Sequence, residues 1–178
     1  MLAFLVYPLL PAAPVNGQVT SSSAEDILAE ACTKAAAENK KVFVIFHASW
    51  CGWCHKMDTS MKDPACKKFF DDQFVIRHIV VHEQKNKQHL ETPGGEAFMK
   101  KYNGEGQGIP FWLIFDAAGG LLADSKIRKE GDGPGEGENS GCPATEQEVD
   151  YFIRVLDTHT TLTDQQLAVI RKRFRQND

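Results

Sequence analysis

Short runs of apolar residues, separated by polar segments, mark the strands of this chain. Three of them are rich in β-branched and aromatic residues and too short for helices, so each predicts a strand. They are residues 42–46 (VFVIF), 74–81 (FVIRHIVV) and 111–115 (FWLIF). The first run contains no polar residue, which predicts a strand buried on both faces. Residues 121–127 follow a turn of small residues and predict the returning strand of a hairpin.

The segments around these strands show helical spacing. Apolar residues recur three and four positions apart, as at Val149, Phe152 and Ile153, which predicts amphipathic helices. Helix starts are predicted by three capping boxes, in which a Ser or Thr precedes a Glu or Gln by three positions. The three boxes are Ser22 with Glu25, Thr145 with Glu148, and Thr163 with Gln166.

The predicted order is helix, strand, helix, strand, helix, strand, strand, helix, helix. Strands that are connected through a helix are expected to be parallel, and the hairpin adds an antiparallel strand. The pattern therefore predicts an α/β fold. Its central mixed sheet has about four strands, helices cover both faces, and an extra helix lies at the C-terminus.

Length and charge limit the function classes. The chain has 178 residues, 42% of them hydrophobic, which suits one domain with its own core. Its formal net charge of -4 gives no electrostatic reason to expect a nucleic-acid partner. We expect a monomer.

The two ends of the chain differ from its middle. Residues 2–10 (LAFLVYPLL) have the length of a signal-peptide apolar region, too short to span a bilayer, although no Lys or Arg precedes them. We expect a signal peptide at 1–17, a domain at 18–160 and a helical extension at 161–178. Within the domain, the Gly- and Glu-rich residues 129–143 predict a mobile loop. The predicted location is extracytoplasmic, either periplasmic or secreted, and the mature chain is expected to have no membrane span.

Two cysteines separated by two residues follow the first strand at a predicted helix start. A helix N-terminus stabilises a thiolate, so Cys51 is the candidate nucleophile on a substrate disulfide. Cys54 lies one turn further along, where its sulfur can attack the mixed disulfide and release the product. The pair predicts thiol–disulfide exchange with protein thiols, supported by a redox partner that the sequence does not identify. No cofactor is expected.

The residues around this pair resemble those of thioredoxins. Trp50-Cys51-Gly52-Trp53-Cys54 is similar to the Trp-Cys-Gly-Pro-Cys site, and Gly108-Ile109-Pro110 is similar to the segment that carries the cis-proline. The resemblance extends over about residues 41–127 and, with the extra C-terminal helix, is greatest to exported thioredoxin-like proteins of bacteria. It implies a thioredoxin-like fold and a cis Ile109–Pro110 bond. It also implies a substrate surface formed by Trp50, Gly52, Trp53, Ile109 and Pro110.

Two positions depart from the thioredoxin pattern. Trp53 replaces the proline between the cysteines, which leaves open whether the protein acts as a reductase or as an oxidase. Ile45 stands where thioredoxins carry a buried acid, six residues before the first cysteine. The proton acceptor for Cys54 must then be water, His55 or another side chain.

Other interpretations of the motif remain. Cys51, Cys54 and His55 also match the C-x-x-C-H pattern of c-type haem attachment. A zinc site lacks a second ligand pair, so no metal site is predicted. A thioredoxin-like binding or chaperone module with little redox turnover is the competing function class. In either class Trp50 could instead be packed in the core.

The remaining cysteines are Cys32, Cys66 and Cys142, and the odd total of five leaves at least one thiol unpaired in a monomer. Cys32 lies on an apolar helix face and is expected to be a small buried hydrophobe. In a thioredoxin-like fold Cys66 and Cys142 lie near helices on one face of the sheet. They could form a second, structural disulfide if the domain is exported.

Overall fold

The fold is built on a four-stranded sheet. A computed structural model describes residues 21–178, and the signal peptide predicted at 1–17 lies outside the described residues. The strands lie in the order β2-β1-β3-β4. Their bounds are β1 Lys41–His47, β2 Phe74–Val80, β3 Phe111–Phe115 and β4 Leu121–Asp124. Residues 42–46 of the central strand β1 are all buried, as their unbroken apolar run predicted.

Within residues 21–178, six α-helices surround the sheet. They are α1 Ala24–Glu38, α2 Gly52–Met61, α3 Lys67–Gln73, α4 Gly95–Lys101, α5 Glu146–His159 and α6 Asp164–Phe174. Short 3₁₀ turns lie at Gln88–Leu90 and Arg175–Asn177. The capping boxes predicted for α5 and α6 are confirmed. The box of α1 is formed by Ser23 with Asp26, one position later than predicted.

One predicted strand direction was wrong. β1 and β2 are parallel, but β3 runs antiparallel to β1 although α4 connects it to β2. The helix within this connection is short. Seven-residue α4 advances only about 10 Å, less than half of the roughly 23 Å covered by seven-residue β2. The chain therefore returns to the sheet at the same end at which β2 stops. There β3 begins beside the C-terminal end of β1.

Alternate residues of the strands face two separate apolar layers. Phe43 and Ile45 of β1 face a layer formed with α2, α3, α5 and α6. Val42, Val44 and Phe46 face a second layer formed with α1 and α4. The prediction of a mixed sheet with helices on both faces is therefore confirmed. The C-terminal helix α6 is present and packs into the first layer.

The Gly-rich segment 129–143 contains more structure than its composition predicted. Its residues Glu138–Asn139 form a short strand, β6, which pairs with β5, Lys126–Ile127. Two strands, β4 and β5, thus stand where the sequence predicted one over 121–127. Pairing with β5 and burial of Ser140 and Cys142 tie the end of the segment to the domain. None of the helices within residues 21–178 is long and apolar enough to cross a membrane.

Candidate active site

The two cysteines of the motif lie where β1 passes into α2. Cys51 is the N-cap residue of α2, and its Sγ accepts a hydrogen bond from the backbone N–H of Cys54 at 3.1 Å. The two sulfurs are bonded to each other, with the Cα atoms 5.3 Å apart. Both residues are buried, at 3% and 4% exposure. Because unpaired N–H groups point out of a helix N-terminus, a thiolate released on Cys51 by reduction is stabilised there.

A cis peptide bond lies against this pair. The Ile109–Pro110 bond is cis, as the resemblance to thioredoxins implied. The carbonyl oxygen of Ile109 lies 3.5 Å from Cys51 Sγ, and the Ile109 side chain packs against a small cluster of Ala48, Cys51 and Cys54. Residues 51 and 109 are brought together by the antiparallel pairing of β1 with β3, whose adjacent ends carry the two loops.

Two tryptophans flank the buried sulfurs. Trp50 and Trp53 are 51% and 48% exposed, which excludes core packing for Trp50. The indole N–H of Trp50 donates to the carbonyl of His82 at 2.8 Å, and the ammonium of Lys56 lies 4.1 Å from the centre of the Trp53 ring. Gly52, between the cysteines, is exposed. The redox pair is therefore framed by aromatic surface that is free to contact another chain.

A buried carboxylate holds the loop before Cys51. Glu83 accepts hydrogen bonds from the backbone N–H of Ser49 at 2.5 Å and from its hydroxyl at 2.9 Å. The hydrogen bond from the Ser49 backbone is the largest cause that lowers the pKa of Glu83. Burial raises this pKa, but the hydrogen bond from the Ser49 hydroxyl lowers it further, and the net shift is downward. No motif in the sequence indicated Glu83. Its only local signal is a carboxylate two positions after the apolar run of the second strand.

The histidines near the pair lie in different surroundings. His55 is exposed, and its Nε2 lies 3.1 Å from the carbonyl oxygen of Ser49. His47 is half-buried. Its pKa is lowered mainly by burial and, to a smaller extent, by the neighbouring His78. Burial raises the pKa of Asp58, but the hydrogen bond from His78 at 2.8 Å and the nearby Lys62 outweigh burial and hold it at about 2.

The position of the buried acid of thioredoxins is apolar in this protein. Ile45 is 1% exposed and lies in the first apolar layer. The strand below the redox pair therefore presents no carboxyl group at this position.

A cleft of about 410 Å³ opens beside the pair. Trp53 and the loop of Ile109 and Pro110 form one wall, and the segment around Asn139 and Cys142 forms the other. Sequence reasoning placed the first wall at the site and missed the second, because the second wall belongs to the Gly-rich segment that predicted only a loop.

The possible disulfide between Cys66 and Cys142 is not formed, which corrects that interpretation. Both are buried free thiols. The side-chain amide of Asn177 lies against Cys142, with Nδ2 3.4 Å from Sγ, and occupies space beside that thiol. Burial raises the pKa of both thiols, that of Cys142 to about 12. Cys32 is only half-buried, and its pKa is raised by burial and by Asp116.

The described residues contain no cluster of metal ligands. Within residues 21–178, no group of three or more His, Cys, Asp or Glu side chains is arranged to hold a metal ion.

Comparison with known proteins agrees with this geometry. A family model described as thioredoxin-like matches residues 23–117, more than half of the chain. None of the curated proteins is significantly similar in sequence. Three similar solved structures are a disulphide isomerase from Xylella fastidiosa, a thioredoxin from Thermus thermophilus and the C-terminal domain of DsbD from Neisseria meningitidis.

These three structures have low sequence identity to the chain and TM-scores below 0.5. The Xylella protein is 16% identical with a TM-score of 0.47, over 64% of this chain and 80% of its own. The Thermus protein is 16% identical with a TM-score of 0.45, over 77% and 84%. The Neisseria domain is 18% identical with a TM-score of 0.45, over 79% and 99%. On the family match, the chain belongs to the thioredoxin-like family, with Cys51 and Cys54 placed as its C-x-x-C pair.

Proposed function

We propose that this protein is a thiol–disulfide oxidoreductase that exchanges disulfides with other proteins through Cys51 and Cys54. The observation that carries the proposal is the position of Cys51. Its sulfur caps the N-terminus of α2, is bonded to Cys54 and lies 3.5 Å from the carbonyl of the cis Ile109–Pro110 bond.

The exchange has two steps. In the reduced protein the Cys51 thiolate attacks one sulfur of a substrate disulfide, which forms a mixed disulfide and releases the other substrate sulfur as a thiolate. The Cys54 thiolate then attacks Cys51 Sγ. The mixed disulfide breaks, the second substrate thiolate leaves, and the Cys51–Cys54 disulfide forms. Two electrons pass to the substrate, and the same steps in reverse oxidise a substrate dithiol.

Proton transfer at Cys54 cannot use the buried carboxylate of thioredoxins, because Ile45 stands at that position. We propose that water entering beside α2 accepts the proton from Cys54. His55 is the side-chain candidate, and its Nε2 is already directed at the Ser49 carbonyl. A His55→Gln variant that keeps the wild-type pH profile of exchange supports water, and a shifted profile supports His55.

The exposed rings of Trp50 and Trp53 support a polypeptide substrate, because large apolar side chains beside a reactive group suit contact with another chain. We further propose that the protein works as a monomer outside the cytoplasm, after removal of residues 1–17. Cell fractionation and the N-terminal sequence of the mature protein test the location, and the mass in solution tests the monomer.

Trapping tests the exchange itself. A Cys54→Ser variant, reduced and then mixed with disulfide-bonded insulin, is expected to accumulate a mixed disulfide through Cys51. A Cys51→Ser variant is the matched control and is expected to trap nothing. Insulin reduction and oxidative refolding of a reduced protein, measured with the wild type, then decide the direction.

Two outcomes would contradict the proposal. Unfolded-chain binding by both variants without any trapped species would favour the binding module. A Soret band in the purified wild type would favour haem attachment at Cys51, Cys54 and His55.

A further inference from the structure

One side chain of the Gly-rich segment, that of Asn139, donates hydrogen bonds to two carbonyls of the cis-proline loop. Nδ2 of Asn139 donates to the carbonyl of Gly108 at 2.7 Å and to the carbonyl of Pro110 at 3.1 Å. The two accepting carbonyls belong to the residues immediately before and after Ile109. A single amide group thus bridges the segment that faces the redox pair.

The bridge sets the direction of the carbonyl between its two partners. Three successive carbonyls of this loop have different partners. Those of Gly108 and Pro110 point to Asn139, and that of Ile109 lies 3.5 Å from Cys51 Sγ. Holding the outer two therefore keeps the middle peptide unit turned to the sulfur.

Asn139 is itself held in one orientation. Its Oδ1 accepts from the backbone N–H of Gly141 at 3.1 Å, which leaves Nδ2 as the atom that faces the two carbonyls. Its backbone lies in β6 opposite Lys126 of β5, and the next residue, Ser140, donates its N–H to the carbonyl of Ser125 at 2.7 Å. The amide is therefore held through its own oxygen and through the backbone of β6, in addition to its contacts with the loop.

A glycine lets β6 come this close. Gly137 has a φ of 99°, and a Cβ on it would lie 2.7 Å from the carbonyl oxygen of Ile127. A side chain there would push β6 away from β5 and move Asn139 with it.

We propose that Asn139 is a positioning residue of the redox site. It fixes the Ile109 peptide unit in the orientation in which a substrate polypeptide is held against Cys51. This rests on the proposed function, since it assigns to one residue the alignment of the substrate chain. It does not require Asn139 to contact a reacting atom. The segment that carries it is the second wall of the cleft, so that wall shapes the site as well as bounding it.

The test compares a protein substrate with a small one. Asn139→Asp keeps the size of the side chain but removes both donors and sets a carboxylate against two carbonyl oxygens. Loss of two aligned hydrogen bonds predicts about a tenfold higher KM for insulin. The rate with a small aromatic disulfide is expected to stay within about twofold, because such a substrate does not need the Ile109 backbone.

Controls separate positioning from folding. Gln165→Glu, at an exposed position of α6, makes the same change of charge and is expected to match the wild type. Gly137→Ala keeps the Asn139 side chain chemically unchanged but displaces β6 and moves Asn139 with it, and it is expected to show the same split between the two substrates. An equal loss with both substrates, together with a lost circular dichroism spectrum, would assign Asn139 a structural role only and overturn the proposal.

A readout independent of activity keeps the two proposals apart. In the Asn139→Asp variant the backbone amide resonance of Ile109 is expected to shift, whether or not the protein reduces insulin. An unshifted resonance, or an unchanged KM in an active protein, would overturn the role of Asn139. A wild type inactive with every disulfide would instead overturn the proposed function and leave the resonance test of the bridge standing.

Discussion

The C-terminal turn is fastened to the active-site helix by one buried side chain, and removing it should cost measurable stability. Asn177 is buried, and its Nδ2 donates to Ser60 Oγ at 3.0 Å and to the carbonyl of Pro143 at 3.3 Å. Ser60, on α2, is fully buried and donates its own hydroxyl to the carbonyl of Lys56 at 2.9 Å. The backbone carbonyl of Asn177 in turn accepts from the Lys56 ammonium at 2.9 Å.

The magnitude follows from the two hydrogen bonds that Nδ2 donates. The Arg173 guanidinium also donates to Oδ1 at 3.3 Å, but it keeps its ion pair with Asp63 and is left out of the sum. A buried neutral hydrogen bond contributes about 1 kcal/mol net, so Asn177→Ala is expected to lower the free energy of unfolding by about 2 kcal/mol. The weak contact of Nδ2 with Cys142 Sγ adds little. In urea, a loss of this size moves the midpoint down by about 1 M, since slopes for domains of this size are about 2 kcal/mol per M.

Urea unfolding of the oxidised chain, followed by tryptophan fluorescence, measures the effect. A double-mutant cycle with Ser60→Ala is expected to show a coupling energy of about 1 kcal/mol, because the two side chains contact directly. Asn86→Ala, at an exposed position, is the matched control. A loss below about 0.5 kcal/mol for Asn177→Ala, or simple additivity with Ser60→Ala, would refute the contact as a source of stability.

Two further predictions concern Glu83 and Cys142. Hydrogen bonds from Ser49 lower the pKa of Glu83 below its ordinary 4.5, so its charged form contributes stability above that pH and loses it as the pH falls through the lower folded value. Glu83→Gln should therefore lower the urea midpoint at about pH 7 and differ less from the wild type at about pH 3, and an equal gap at both would contradict this. Cys142 is buried with a pKa of about 12, so alkylation of the reduced native protein at about pH 8 should modify Cys51 long before Cys142. Mass spectrometry checks the order, and equal rates would contradict the raised pKa of the Cys142 thiol.

Local patterns in the sequence determined the framework of the protein. The apolar run at 111–115 predicted the third strand at its observed bounds, and the capping boxes predicted the starts of α5 and α6. The end of the first apolar run placed Cys51 near a helix start, and the thioredoxin-like residues around Pro110 implied the cis bond that the structure contains. Each of these features depends on residues within a few positions of one another, where periodicity, propensity and capping chemistry act directly.

Tertiary structure decided the contacts that shape the site. Glu83 meets Ser49 across 34 positions, Asn139 meets Gly108 across 31, and Asn177 meets Ser60 across 117. The direction of β3 also depended on how far a connection carries the chain, and the composition of the Gly-rich segment concealed β6. Polar side chains of this kind carry no periodic signal, because their partners exist only after the sheet and its two helical layers have closed. The sequence therefore determined which sulfur is the candidate nucleophile, while only the folded chain decided what holds it and its neighbouring peptide in place.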